Sequence, residues 1–484
     1  MSDGGDALDD LLAPRKPRRA AGDALDDMIR SASTAKEAGG VLDDLISASG
    51  ARPHGSPPED RAAVRRRWVM GLAIAVGLLG FSGMVTDSVA ITQLVGKSSP
   101  TALALAFPLG GLGLVLMALL QSRFIDRYAR KSVLVSLCFI YAAVFVVMLV
   151  LFATNVPTPI PAAMGVILAD QMNFMLPVLI WTLASDVFTA GQAVTVYPII
   201  SRSLYVGNIL GFGVAAAIGI VSDRTGFSPA WLLVIPPVFL TVVAVFVPRI
   251  LHDVTLSEGH GKNESARESI KQSFSLLKDL TAFKWMFGLS LAVMGAGAIL
   301  EFGFFDVANQ SVRSTGSLQA IYAAVFCGVL ILGLAIQTWV ATPLMSRAGI
   351  AKALQILPIA TLVASIVMVI AGATEQIVVA IVAIAIWRTP RSSLDFVGRQ
   401  AAMATVPDNQ RARFSNLINV VPVGIGFTVV AGPIGISRLA DNRWVAPAIA
   451  VALALVAVAF GRKVLKTWDN TQLSYRLKRR KRLG

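Results

Sequence analysis

Charged side chains are scarce in long apolar stretches, so those that do occur there are the first candidates for chemistry. Arg388 and Arg391 flank a proline in the run Trp387-Arg388-Thr389-Pro390-Arg391-Ser392-Ser393. A guanidinium stays charged and matches the geometry of carboxylate and phosphate, which makes this pair, together with Arg202, a candidate anion-binding set. The acidic counterparts are Asp170, Glu301, Asp87 and Asp306. A carboxylate can exchange a proton when its surroundings alternate between wet and dry, and histidine is absent from every apolar run, so these four are the candidate coupling or gating groups. An interior proline frees a backbone carbonyl and bends a helix, a common setting for a buried binding site. A second reading of Arg388 stands beside the first: a structural ion pair with Asp170, the residue that an internal offset of the chain matches to it.

These groups need elements to hold them, and composition says which. Of 484 residues, 55% are hydrophobic and 15% charged, against about 25% charged in soluble domains. A helix needs about 20 apolar residues to cross a bilayer. Runs of that length lie near 68–92, 100–122, 132–154, 160–183, 198–221, 229–248, 284–306, 318–342, 354–373, 376–397, 414–437 and 444–462. The expected fold class is therefore an all-α integral membrane protein of twelve transmembrane helices. Runs three, six, nine and twelve carry no Asp, Glu, Lys or Arg between their ends, as lipid-facing helices should, whereas runs one, four, seven and ten hold the candidate groups other than Arg202, which lies in run five. A charge at mid-membrane costs at least about 2.5 kcal/mol, so each must face a partner or a cavity.

Three histidines and two cysteines are too few for most zinc sites or a disulfide scaffold, so no metal is implied. Gly96-Lys97-Ser98 ends like a phosphate loop, but Ile91 stands where its first glycine belongs. No catalytic motif appears and no cofactor is implied; the chain does not read as an enzyme. The net charge of +14 sits in short segments flanking apolar runs, which is how membrane orientation is set, so nucleic acid is not an expected partner. Segments 123–131, 249–284 and the tail holding Lys478, Arg479, Arg480, Lys481 and Arg482 are rich in Lys and Arg, whereas the loops of the opposite side carry at most two each, which predicts that both termini are cytoplasmic. Positions 1–60 contain no signal-peptide apolar core, so the first span is expected to act as an uncleaved signal.

An internal offset of 218 carries Asp223 to Asp441, Pro229 to Pro447 and Asp170 to Arg388, and brings Asp87 beside Asp306. Two six-helix pseudo-repeats in parallel are expected, bounded at 68–248 and 284–462, with a cytoplasmic linker at 249–283 and a basic tail at 463–484. Gly207, Gly211, Gly213, Gly424 and Gly426 suit close helix packing between the halves.

After the second span comes Ser122-Arg123-Phe124-Ile125-Asp126-Arg127-Tyr128-Ala129-Arg130-Lys131. This resembles the loop signature G-x-L-x-D-R-[FY]-G-R-[RK] of the major facilitator superfamily, with Ser122 and Ala129 in place of two glycines. In the second half, Met345-Ser346-Arg347-Ala348-Gly349 lacks the aspartate. The resemblance implies that Asp126, Arg127, Arg130 and Lys131 form a conformational-switch loop, that spans one, four, seven and ten line a central cavity, and that the chain moves a small solute across the membrane by alternating access. With the arginines and carboxylates above, the expected function is secondary transport of a small organic anion coupled to protons, in a bacterial inner membrane. Ser185-Asp186-Val187-Phe188, with Gln192-Ala193 and the arginines from Arg388 to Arg413, is similar to the ATP/ADP translocase branch, which makes nucleotide exchange a further alternative.

The segment 1–67 is polar and cannot bury a core, so it is expected to be a disordered cytoplasmic tail. It repeats DALDDLL, DALDDMI and VLDDLIS, in which Leu8, Leu25 and Leu42 recur at equal spacing. Leucines at i, i+3 and i+4 opposite acids suit docking into a cytoplasmic protein partner, and tandem copies raise local concentration. A transporter-like scaffold that recruits partners through this tail is the alternative from another class; duplicated solubilising sequence is the plainest reading. In the linker, Ile270, Phe274, Leu277, Leu280 and Phe283 predict an amphipathic helix on the membrane face. The basic C-terminal tail predicts contact with anionic lipids.

Overall fold

The computed structural model describes residues 58–125, 130–154, 156–188, 190–252, 280–312, 314–403 and 417–483, together with Ser275, Leu277, Val406, Phe414 and Ser415. Leu8, Leu25 and Leu42 of the tail, Asp126 and Arg127 of the loop, and Ile270 and Phe274 of the linker lie outside the described residues. The chain divides into two units, residues 1–65 and 66–484; in the first, the described residues 58–65 are helical.

With no water to satisfy backbone groups, an apolar run in a bilayer must bond to itself as a helix. Among the described residues of the second unit, every regular element is helical and twelve helices are long and apolar enough to cross a membrane. They are α1 Arg66–Lys97, α2 Pro100–Leu120, α3 Arg130–Ala153, α4 Pro159–Ala184, α5 Ile199–Thr225 and α6 Pro229–Ile250 in the first half. The second half holds α7 Thr281–Ser311, α8 Thr315–Ala341, α9 Ile350–Thr374, α10 Ile377–Met403, α11 Leu417–Leu439 and α12 Val445–Thr471. Twelve crossings put the start of α1 and the end of α12 on one side, here the terminal side; the other is the far side. The start of α4 maps onto the start of α10, and that of α5 onto that of α11, by the same offset that the sequence shows for a duplicated body.

The twelve spans match the apolar runs, with differences at the ends. The first helix runs beyond the expected limit, to Lys97. The last continues as helix to Leu483, through the segment expected to be a basic tail. Leu277, Leu280 and Phe283 of the linker are buried, and Phe283 packs edge-on to Phe414 at 5.2 Å. The apolar stripe therefore packs into the protein at these positions, not onto a membrane surface, because aromatic partners on the bundle are close enough to cover it.

The halves meet where α5 packs on α8 and α2 on α11. Phe212 of α5 packs against Tyr322 and Phe326 of α8 at 5.8 and 5.7 Å, and Phe107 of α2 stacks on Phe427 of α11 at 5.6 Å. At the α2–α11 crossing Gly111 and Gly424 face each other backbone to backbone, and a Cβ on Gly424 would come within 2.7 Å of Val115 and run into the Gly111 carbonyl. Of the glycines expected between the halves, only Gly424 lies there. Gly207 and Gly211 sit against α1, Gly426 against α7, and Gly213 has open space beside it. The small residues serve packing within each half as much as between halves. Because backbone cannot yield as a side chain can, Gly424→Val is expected to cost about 1–3 kcal/mol, read as a lower melting temperature of the detergent-solubilised protein. An unchanged melting temperature would show that the spans can separate there.

Candidate functional site

Depth explains which charged residues meet. Counted from the far-side ends of their helices, Asp87 lies ten positions before Lys97, Glu301 ten before Ser311, Asp170 eleven after Pro159 and Arg388 eleven after Ile377. At about 1.5 Å per position these four groups sit at one level, roughly 15 Å in. The first apolar run, ending at 92, puts Asp87 only five residues from a mouth of the bundle; α1 runs on to Lys97 and sets it deeper. Asp306 is shallower, little more than one turn from the end of α7 at Ser311, and the two aspartates part company.

Arg388 reaches Glu301: its Nε and Nη2 lie 3.1 and 2.5 Å from Oε1. Its guanidinium also covers the Phe326 ring, 4.2 Å from the centroid. The ion pair is thus made within one half, α10 to α7, and not across the halves to Asp170. Glu301 can occupy the fork because its acid lies at the same depth on α7, a helix of the same half that packs against α10. Asp87 accepts a hydrogen bond from the Tyr322 hydroxyl at 2.5 Å. It lies close enough to Arg388 and Glu301 to feel their charge.

Asp170 is buried against Gly110 of α2 and within electrostatic range of Asp87, Glu301, Arg388 and Arg391, yet its Oδ2 has no hydrogen-bond partner among the described residues. Arg391 stacks its guanidinium over Trp387, 5.0 Å from the ring centroid. Among the described residues no carboxylate lies within ion-pair distance of it. The Trp387 ring can lie there because Gly297 of α7 has no side chain in its way. Further polar atoms around the cluster, Nε1 of Trp387, Oγ1 of Thr389 and both side-chain polar atoms of Gln171, are also buried without a partner among the described residues. Orphaned buried polar groups are rare, and where several converge a polar ligand or water is what they can satisfy.

The proline break takes a specific form. From Arg391 to Asp395, α10 is wound as a π-helix, and α8 has another at Gln337–Ala341. Such turns cluster at functional sites, where they re-aim side chains and loosen carbonyls. One loosened carbonyl, that of Ser392, accepts a hydrogen bond from the Tyr205 hydroxyl of α5, tying the two halves beside Arg391. Sequence reasoning missed Tyr205 and Tyr322; each is a tyrosine in an apolar span, where a phenol needs a partner.

The remaining candidates are dispersed. Asp306 forms an ion pair with Arg438 at 2.8 Å and with Arg443 at 3.4 Å, and Arg443 also reaches Glu375, a network near the far side. Asp395 pairs with Arg399 at 2.7 Å, and Arg399 also donates to Ser290. Arg202 is exposed near the beginning of α5, apart from the cluster. Arg130 and Lys131 open α3 on the terminal side, half-buried. Toward the far side the cluster is covered by contacts between the halves: Gln319 donates to the Ala215 carbonyl at 2.9 Å, and Asp223 accepts from Ser314 and, at 2.7 Å, from Ser317. Among the described residues no group of His, Cys, Asp and Glu is placed to hold a metal ion.

No protein-family model matches the sequence, and no curated protein does. Solved structures do match in shape. The nucleoside transporter NupG superposes with a TM-score of 0.59 at 14% identity, covering 83% of this chain and 99% of that one. A POT family transporter in complex with a thioalcohol-conjugated peptide gives 0.60 at 12% identity, over 83% and 96%. The E. coli fucose:proton symporter FucP gives 0.53 at 14% identity, over 82% and 98%. The correspondence runs over nearly the whole of each relative, and so this chain has the twelve-helix fold of these transporters, the fold that the resemblance to the major facilitator superfamily implies.

Proposed function

We propose that the protein is a secondary transporter that carries a small organic anion together with a proton, binding it where α1, α4, α7, α8 and α10 meet. The observation that carries this reading is Arg391, a guanidinium at the π-turn of α10 that stacks on Trp387 and has no carboxylate partner among the described residues, beside orphaned polar atoms of Asp170, Gln171, Trp387 and Thr389. A half-buried cation without a counter-ion among its neighbours is costly, and an arriving carboxylate or phosphate relieves that cost. Neutral recognition would not need it.

Charge balance links the proton. Asp87, Asp170 and Glu301 face Arg388 and Arg391, three carboxylates against two guanidiniums. An anion on Arg391 deepens the negative excess, which favours a proton on the carboxylate that has no partner, Asp170. Binding of either ligand therefore strengthens binding of the other, and both move in one direction. The fucose:proton symporter among the solved relatives is compatible with such coupling.

Purified protein in liposomes, offered labelled carboxylate and phosphate solutes with and without an imposed proton gradient, tests the proposal. Uptake is expected for anions, accelerated when the solute side is acidic, and not for neutral amide analogues. Uptake indifferent to the gradient would remove the proton from the mechanism, and equal uptake of neutral analogues would remove the anion.

A further inference from the structure

A second constellation of charge lies on the terminal side, away from the cluster. Lys284, in the first turn of α7, and Lys463 of α12 both bring their ammonium groups to the ring of Trp285, 5.4 and 4.0 Å from its centroid. Trp285 is held in place by stacking on Phe460 of α12, at 5.8 Å and 30°. Phe460 in turn lies over Gly288, where a Cβ would come within 3.1 Å of its ring. Both lysines are exposed, as are Arg462 and Lys466 on the same stretch of α12. Among the described residues none of the four basic groups has a carboxylate within ion-pair distance; Asp469 is the acid nearest in sequence to the three on α12, and Asp279, outside the described residues, the one nearest Lys284.

Two ammonium groups sharing one aromatic ring repel each other, and the ring attracts each only weakly. A single phosphate between them removes the repulsion. The level is that of lipid headgroups. Apolar residues of α12 give way to Arg462 and Lys463 directly after Gly461, and tryptophan and lysine together mark the membrane–water boundary. Val456 lies two turns before Lys463 on the same helix face and is exposed, an apolar track below the charges. Basic pockets between transmembrane helices bind anionic headgroups.

We propose that Lys284, Trp285 and Lys463, flanked by Arg462 and Lys466, bind the headgroup of an anionic phospholipid from the terminal-side leaflet, with its phosphate between the two ammonium groups and an acyl chain along Val456. The lipid clamps the start of α7, the helix that carries Glu301, to α12. This site is separate from the basic segment at Lys478 to Arg482 and does not depend on the solute that the protein carries.

The test uses the full-length protein in detergent, with affinity for phosphatidylglycerol and for phosphatidylcholine measured by native mass spectrometry and by thermal shift. Preference for the anionic lipid is expected to fall about fivefold with either Lys284→Gln or Lys463→Gln, the usual contribution of one basic residue at an anionic surface. The arginine variants Lys284→Arg and Lys463→Arg should keep it, and so should Lys352→Gln, which removes an exposed lysine of α9. In the unmodified protein, phosphatidylglycerol brominated on its acyl chains should quench a fluorescence component that Trp285→Phe lacks, more strongly than brominated phosphatidylcholine does. A double glutamine variant with undiminished preference, or equal quenching by the two lipids, overturns the proposal. Stabilisation by inorganic phosphate equal to that by the lipid overturns it too, since the site would then hold a free anion.

Discussion

Glu301→Gln is expected to destabilise the protein by about 3–5 kcal/mol, because it leaves the Arg388 guanidinium without its counter-ion in the middle of the bundle. Arg388 is only 22% exposed, and Glu301 7%, so water cannot take over the role of either. Arg388→Gln should cost a comparable amount by stranding Glu301 beside Asp87, a second carboxylate within range. The double variant Glu301→Gln/Arg388→Gln replaces the pair with two amides that can bond to each other, and it should recover much of the loss, giving a coupling well above the ~0.5 kcal/mol typical of independent sites. Thermal unfolding of the four proteins in one detergent measures it. The same cycle with Asp170→Asn in place of Glu301→Gln should show little recovery, since Asp170 makes no hydrogen bond to Arg388. Recovery with Asp170→Asn and none with Glu301→Gln would mean that the pair forms across the halves after all.

The sequence carried the architecture because a bilayer permits few alternatives: about twenty apolar residues must form a helix, and the twelve runs lie where the twelve spans do. Counting along the same runs also puts Asp170 and Arg388, ten and twelve residues in from 160 and 376, near mid-membrane, since depth follows from counting residues. What counting could not supply is azimuth and exact span ends. The extension of α1 to Lys97 and of α7 to Ser311 set Asp87 and Glu301, each five residues from the end of its apolar run, at the level of Asp170 and Arg388, and rotation about α10 decided that Arg388 meets Glu301 and not Asp170. The π-turn at Arg391–Asp395 was announced only as a proline break. One additional residue in that turn changes which side chains beyond it share a face with those before it; Trp387 and Arg391, four apart and ahead of the turn, are a pair that helical spacing does allow. Tyr205 and Tyr322 reach their acceptors across the α5–α10 and α1–α8 contacts, 187 and 235 residues away in the chain, where local pattern has nothing to say.

The geometry separates the two arginines that sequence alone treats alike. Arg388 is committed to Glu301, whereas Arg391 has aromatic support and no carboxylate within ion-pair distance among the described residues. Removing Arg391 therefore breaks no ion pair. Arg391→Gln should leave the melting temperature nearly unchanged, or raise it slightly by relieving a half-buried unpaired charge beside Arg388. Transport should respond in the opposite sense. A charged hydrogen-bonded contact to a bound anion is worth about 2–5 kcal/mol when one partner is truncated, which converts to a loss of roughly 30-fold or more in kcat/KM. Because the contact forms on binding, the loss should fall mainly on KM. Arg391→Lys keeps the charge without the planar fork and should retain part of the activity, more for a phosphate than for a carboxylate that engages the fork through both oxygens. A variant that folds as well as the parent and transports anions at the parental rate would take Arg391 out of the site. A variant that instead unfolds as readily as Arg388→Gln would make it a structural residue, with a partner formed in another conformation of the cycle.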